Sequence, residues 1–382
     1  MDVYLDHAAT TPVDGSVVKA MLPYMTERYG NASSLHKKGR EARDALEAAR
    51  KTIAGRINAS PEEVIFTSGG SESDNLALKG VAYKRKEGGG HLITSRIEHP
   101  AVLETCRRLE VKGFNVTYLD VDGEGFISLA DLEDSITEKT VMVSVMHANN
   151  EVGTINDIKA IGGLCHERGV LFHTDAVQSF TKTEIDVKKQ NIDLASFSSH
   201  KIHGPKGVGA LYVREDLKNR IERQIDGGGH EYRLRAGTEN VAGAVGFSHA
   251  TNLITKEDVR GMSGLRDKII RELTKLPESH LNGPEGDKRL CNNANISFYN
   301  IEGESLLLML DSLGVQVSTG SACSSASLEP SHVLTAMGRR PEQSHGSIRI
   351  SLGRENTEEE VDYAIDAIGG VVLKLRALSP LV

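Results

Sequence analysis

The sequence predicts an α/β protein built on a largely parallel β-sheet, with a second, smaller α+β unit. Three observations predict it. Seven short apolar runs, each the length of a strand, recur through the first two thirds of the 382 residues. Segments of helical period lie between several of them. After about Ile254 the pattern changes to charged helical sequence and a separate set of elements.

The seven runs are "EVIFTSG", "HLITSR", "NVTYLDV", "TVMVSVMH", "VLFHTDAV", "LASFSSHK" and "GALYV", and each reads as a buried strand. Before the first, "REARDALEAARKTIAGRI" carries Leu46, Ile53 and Ile57 at helical spacing with charges on the opposite face. After it, "SESDNLALKGVAYKRK" follows a glycine turn as a second helix. Alternation of strand and helix implies crossover connections, and so a parallel sheet. The later part holds "KEDVRGMSGLRDKIIRELTKL", "NISFYN", "ESLLLMLDSL" and "SIRISLG", and closes on a helix in which Thr357 and Glu360 form a capping box. Its apolar face carries Val361, Ala364, Ile365, Ile368 and Val372. These boundaries predict a large domain over 15–254 and a small domain from 1–14 with 255–382.

Composition narrows the function classes. A formal net charge of −8 with interspersed signs argues against a nucleic-acid surface. No apolar stretch approaches the length of a membrane span, and the N-terminus lacks the basic and apolar regions of a signal peptide, so a cytoplasmic location is expected. The four cysteines, Cys106, Cys165, Cys291 and Cys323, lie far apart, which argues against a zinc site or a disulfide framework.

Four clusters at predicted strand ends carry chemistry. In "FTSGGSESDN", a strand ends in Gly69 and Gly70 and a helix opens at Ser71, where free N–H groups favour an anion such as phosphate; an ordinary βα turn is the competing reading. In "FHTDAVQS", Asp175 ends an apolar strand and needs a cationic or hydrogen-bonding partner, such as a protonated ring nitrogen, unless it only caps the next helix; Gln178 follows. In "SFSSHKIHGPKGVGAL", a strand delivers Ser198, His200 and Lys201 to a turn. A lysine at a buried strand end suits Schiff-base chemistry, and Lys206, in the flexible "GPKG", is the competing candidate. The fourth joins "SRIEHPAV" and "MHANNEVGT", whose His99 and Asn150 suit the framing of a planar cofactor. Each cluster alone has a structural reading. Converging on one sheet edge, they describe a site for pyridoxal 5'-phosphate.

A fifth stretch, "VSTGSACSSAS", places Cys323 in a Gly/Ser-rich loop of about 317–330 with hardly an apolar neighbour, where a thiol has no core to join. Such a loop reads as mobile.

The chain as a whole resembles the cysteine desulfurases of the NifS/IscS type, within the class V aminotransferases of pyridoxal-phosphate fold type I. The resemblance runs from "YLDHAATTPVD" through "GNASSLH", "FTSGGSESDN", "MHANNEVGT", "HTDAVQS", "SSHKIHGPKGVGALYVR" and "GGGHEYRLRAGTEN" to "STGSACSSAS" and "SIRISLGR". It implies Lys201 as the cofactor lysine, Gly70, Ser71, Ser198 and His200 as phosphate contacts, and Thr238 as a phosphate ligand given to the partner subunit of a homodimer. It implies Asp175 at the ring nitrogen, Gln178 at the phenolic oxygen, Asn150 at the ring and His99 stacked on it as a catalytic imidazole. Arg349 and Asn31 match substrate contacts. Cys323 matches the nucleophile that takes sulfur from L-cysteine, leaving alanine and a persulfide. The extended cysteine loop resembles that of desulfurases serving an iron–sulfur scaffold protein of the IscU type, which implies such a partner and Cys323 as a transient cluster ligand through its persulfide. Two departures stand out: Ser71 occupies a position where threonine is common, and the chain ends at "LRALSPLV" without the longer tail by which some relatives reach a scaffold. A selenocysteine lyase or a small-substrate aminotransferase would share the cofactor site without needing Cys323.

Overall fold

The structure is a computed structural model and describes residues 1–85, 90–319 and 330–378. The elements run β1 (Val3–Tyr4), α1 (Gly15–Thr26), α2 (Lys37–Arg56), β2 (Val64–Thr67), α3 (Gly70–Lys84), β3 (His91–Ser95), α4 (Pro100–Val111), β4 (Asn115–Leu119), α5 (Leu129–Ser135), β5 (Thr140–Ser144), α6 (Ile158–Glu167), β6 (Leu171–Asp175), β7 (Leu194–Ser198), β8 (Gly209–Val213) and α7 (Val241–Ala250). Then follow α8 (Lys256–Leu273), β9 (Ser279–Leu281), β10 (Asn293–Phe298), α9 (Gly303–Ser312), β11 (Val315–Gln316), α10 (His332–Ala336), α11 (Pro341–Ser344), β12 (Ser347–Ser351) and α12 (Glu358–Leu378).

All seven predicted strands form one sheet of order β2-β8-β7-β6-β5-β3-β4. Its strands are parallel except β8, which runs antiparallel to both neighbours. Successive residues of a strand point to opposite faces. Ile93, Val143, Phe172 and Ala195 therefore enter one core, while Leu92, Met142, Leu171 and Leu194 enter a second. Burial on both faces is why these strands read as continuous apolar runs rather than alternating ones. One expectation is corrected: β4 is not a buried strand. It lies at the sheet edge with only Leu119 fully buried, because it has a neighbour on one side alone.

The later elements form an antiparallel sheet, β12-β10-β9, with β1 pairing in parallel with β11, so the chain's first residues join elements from its last third. The capping box of α12 is present: Glu360 N–H donates to Thr357 Oγ1 at 3.2 Å and Thr357 N–H to Glu360 Oε2 at 2.8 Å.

Candidate active site

Five of the parallel strands, β2, β3, β5, β6 and β7, release their chains at one edge of the sheet, where open α/β sheets place ligands. A cavity of about 630 Å³ lies there. It is lined by Gly70, Ser71, His99, Asn150, Asp175, Gln178, Ser198, His200, Lys201 and Arg349, so ten of the residues singled out in the sequence meet in one pocket. Asn31 and Thr238 are exposed and line none of it. Cys323 lies outside the described residues.

The turn after β2 is shaped by close approach. Gly69 has φ of +155°, and a Cβ on Gly209, at the start of β8, would sit 2.7 Å from Gly69 Cα. At Gly70 a Cβ would meet Val177 Cγ2 at 2.7 Å. The bare backbone thus brings the N-terminus of α3, whose first residues Gly70 and Ser71 line the cavity, against the chain that follows β6. Glu72 ties this turn from outside, accepting from Ser68 N–H at 2.8 Å and from Arg235 Nε at 2.9 Å.

Asp175 ends β6, and Val177 N–H donates to its Oδ1 at 2.9 Å. Burial raises its pKa, and the nearby His99 and Lys201 oppose that rise. His99 caps α4 by accepting from Ala101 N–H at Nδ1, 3.1 Å away. That bond requires a lone pair on Nδ1, which leaves the ring proton on Nε2. Burial lowers its pKa, so the neutral ring is favoured. Lys201 follows β7, and its ammonium donates to the carbonyls of Ala8 and Ala9, each at 2.7 Å. Lys206 is exposed, which leaves Lys201 as the lysine in the cavity. Arg349, on β12, donates to Asp6 Oδ1 at 2.8 Å and to the Asn150 carbonyl at 3.2 Å.

The residues fit pyridoxal phosphate. The N-terminus of α3 (Gly70, Ser71), the polar side chains of Ser198 and His200, a buried carboxylate and an amine share one cavity of adequate size. Two lining residues, Asp74 and Arg349, carry buried polar atoms without partners, Oδ1 and Nε. Sequence reasoning missed Asp74, Glu151 and His332 as lining residues. Asp74 sat inside a quoted motif, but nothing local distinguishes it from a helix-surface acid.

Comparison with known proteins shows the family. The model of the family described as "Aminotransferase class-V" matches residues 3–364. The chain belongs to the class-V aminotransferase family, whose cysteine desulfurase branch depends on pyridoxal phosphate. It is 52% identical to a cysteine desulfurase IscS of Methanosarcina thermophila, over 99% of this chain and 94% of that one. It is 50% identical to a cysteine desulfurase IscS of Vibrio vulnificus (strain YJ016), over 100% and 95%. Among solved structures, a NifS-like protein superposes with a TM-score of 0.92 at 41% identity, covering 98% of this chain and 100% of that one. A structure described as SspA in complex with cysteine gives 0.84 at 40% identity, covering 93% and 100%. The fold is that of fold type I pyridoxal-phosphate enzymes.

Proposed function

We propose that this chain is a pyridoxal-phosphate-dependent cysteine desulfurase in which Cys323 accepts the substrate's sulfur. The observation that carries the role of Cys323 is where its flanking chain sits. On one side, Ser318 pairs through both backbone groups with Arg349, a cavity residue. On the other, the Ser331 hydroxyl donates to Glu151, another lining residue. The sequence between these anchors begins and ends at the cavity rim.

Bound in the cavity, pyridoxal phosphate supplies an electron sink for the α-carbon of the amino acid. Gly70, Ser71, Ser198 and His200 hold its phosphate, Asp175 its ring nitrogen, Gln178 its phenolic oxygen, and Asn150 its ring. Arg349 binds the α-carboxylate of L-cysteine through its fork of donors. The Lys201 amine takes the α-proton, and His99 holds a mobile proton at Nε2. The Cys323 thiolate forms an S–S bond to the substrate sulfur as the Cβ–S bond breaks. The electron pair of that bond stays on the carbon fragment, which takes up a proton at Cβ, recovers the α-proton from Lys201 and leaves as alanine. The Cys323 persulfide then passes sulfur to an acceptor, an iron–sulfur scaffold protein of the IscU type, and transiently ligates the cluster.

The enzyme works as a homodimer in the cytoplasm. Exposure of Thr238 away from its own cavity supports donation of this residue to a second subunit's phosphate. An exposed apolar stripe of Val18, Leu22 and Met25 on α1 offers a face for pairing. Among the described residues no helix is long and apolar enough to cross a membrane. Residues 15–254 form the large domain, and residues 1–14 with 255–382 the small one. Asn31 is a further substrate contact, although it is exposed and lines no part of its own chain's cavity.

The test is a paired assay of wild type and Cys323→Ser with L-cysteine and a reductant, following sulfide, alanine and the cofactor spectrum. Wild type is expected to form both products equally, and the variant to show spectral change without turnover. Normal turnover by Cys323→Ser would overturn the role of Cys323 and favour a lyase or aminotransferase reaction.

A further inference from the structure

Behind Asp175 lies a second carboxyl that the mechanism above does not use. Asp74, on the second turn of α3, is 1% exposed, lines the cavity, and has an Oδ1 without a hydrogen-bond partner. Its carboxyl, that of Asp175 and the His99 ring present ligand atoms all within 4.8 Å of one another. Two carboxylates this close in a dry site do not both ionise.

The surroundings decide which one keeps the proton. Asp175 accepts from Val177 N–H and is drawn toward its charged form by the Lys201 ammonium. Burial disfavours the Asp74 charge and Asp175 repels it, with the Ser196 hydroxyl as its one favourable neighbour; Glu98 adds to the repulsion only toward pH 8 and above, where it ionises. His173, on β6, comes to 3.7 Å of Asp74 Oδ1. It brings no charge, because full burial holds its pKa down at about 3. Its ring is instead engaged with the hydroxyls of Ser144 at 2.8 Å and Ser196 at 3.0 Å. Glu98, also fully buried, is pushed up to about 8 by that burial and is neutral at pH 7.

We propose that Asp74 is a positioning residue that stays protonated across the working pH range, so that the single negative charge of the Asp74–Asp175 pair resides on Asp175. This inference rests on the reading of Asp175 as the partner of the cofactor's ring nitrogen. Asp74 is then a neutral donor that stabilises the Asp175 carboxylate and leaves it free for the ring. The titratable groups around it are Asp175 and His173 from β6, Glu98 and His99 from the β3–α4 junction, and Lys201 beyond Asp175.

The experiment uses the full chain, reconstituted with pyridoxal phosphate, as wild type, Asp74→Asn, Asp74→Leu and Asp175→Asn. Infrared difference spectra read the carbonyl stretch of a protonated carboxyl, which a carboxylate lacks. Equilibrium titration with pyridoxal phosphate between pH 6 and 9 reads cofactor affinity. Neutral Glu98 contributes to this band in every variant, so the readout is the wild-type-minus-variant difference: Asp74→Asn is expected to remove one protonated-carboxyl component that wild type shows beyond the Glu98 contribution. Asp74→Asn, whose amide is also a neutral donor, keeps cofactor affinity within about two-fold. Asp74→Leu fills the space without donating, and weakens binding about ten-fold or more, most at the acid end where Asp175 takes the proton itself. Absence of that component, or loss of affinity in Asp74→Asn equal to that in Asp74→Leu, would overturn the proposal while Asp175→Asn still binds weakly. Unchanged affinity in Asp175→Asn would overturn the reading of Asp175 and this inference with it.

Discussion

Arg349 is held by Asp6 at 2.8 Å, a carboxylate 343 residues away in sequence, while its Nε finds no partner. The guanidinium is only 3% exposed and is fixed in direction by two of its N–H donors, which leaves the others, Nε–H among them, for a ligand. Replacement by a lysine removes the planar fork. Arg349→Lys is expected to lower kcat/KM for L-cysteine about 10- to 100-fold, mostly through KM, as befits the loss of a charge-assisted hydrogen bond. Asp6→Asn, which loosens the anchor but keeps the ligand group, raises KM less. Steady-state kinetics check both, and a pure kcat loss in either would contradict the assignment.

Lys182 is buried, and its ammonium donates to the carbonyls of Gln178 at 3.0 Å and Lys201 at 3.3 Å, both residues of the cavity. Burial pushes its pKa down to about 8, below the ordinary lysine value of 10.5. Between these values the unfolded chain binds the extra proton, so this group makes stability rise with pH from about 8 to 10.5. Below pH 8 the penalty for burying the charge is fully present. The difference in unfolding free energy between wild type and Lys182→Met is therefore expected to shift in favour of wild type across that window. Denaturant titrations at pH 7.5, 9 and 10.5 read it directly, and a flat difference counts against the shift.

Gly209 has no room for a side chain: a Cβ would sit 2.5 Å from the Phe197 carbonyl and 2.7 Å from Gly69 Cα. These are backbone atoms of β7 and of the turn between β2 and α3, which yield only by moving the sheet. Gly209→Ala is expected to destabilise the fold by about 1–3 kcal/mol or more and to weaken pyridoxal-phosphate binding. Gly70→Ala meets only the tip of Val177, so its loss of stability should be smaller than its loss of cofactor affinity. Urea unfolding and cofactor titration on the same samples separate the two effects.

Arg50 and Glu231 form a buried ion pair with two parallel contacts of 2.8 Å, and Glu231 also accepts from Phe66 N–H on the edge strand β2. The pair clamps three consecutive non-glycine residues of positive φ, Glu231, Tyr232 and Arg233. Such a run is unfavourable for L-residues and persists only where its surroundings impose it. Arg50→Met leaves a buried carboxylate unpaired and is expected to cost about 3–5 kcal/mol. The double variant with Glu231→Leu should recover part of that loss, and a double-mutant cycle in urea measures the coupling.

Much of the fold was legible because burial on both faces writes itself as apolar runs, and strand-end polar residues interrupt them. Lys201 and Asp175 stood out for that reason: each is an ionisable group where the local pattern calls for an apolar one. Asp6, Asp74 and Lys182 carried no such mark. Asp6 acts on Arg349 only because β1 joins β11 beside β12, and Lys182 reaches the Lys201 carbonyl only through the turn after β6.

The sequence by itself determined the class of fold, the strand-end motifs and the chemistry those residue types can perform, since periodicity and residue type are local properties of the chain. The tertiary structure alone decided which motifs share a cavity, that β4 lies at an edge, and that Asn31 and Thr238 stand apart from the pocket of their own chain. The physical reason is that charge, burial and hydrogen-bond partnership belong to pairs of groups. Pairs separated by hundreds of residues, such as Asp6 and Arg349, come into being only when the chain closes on itself.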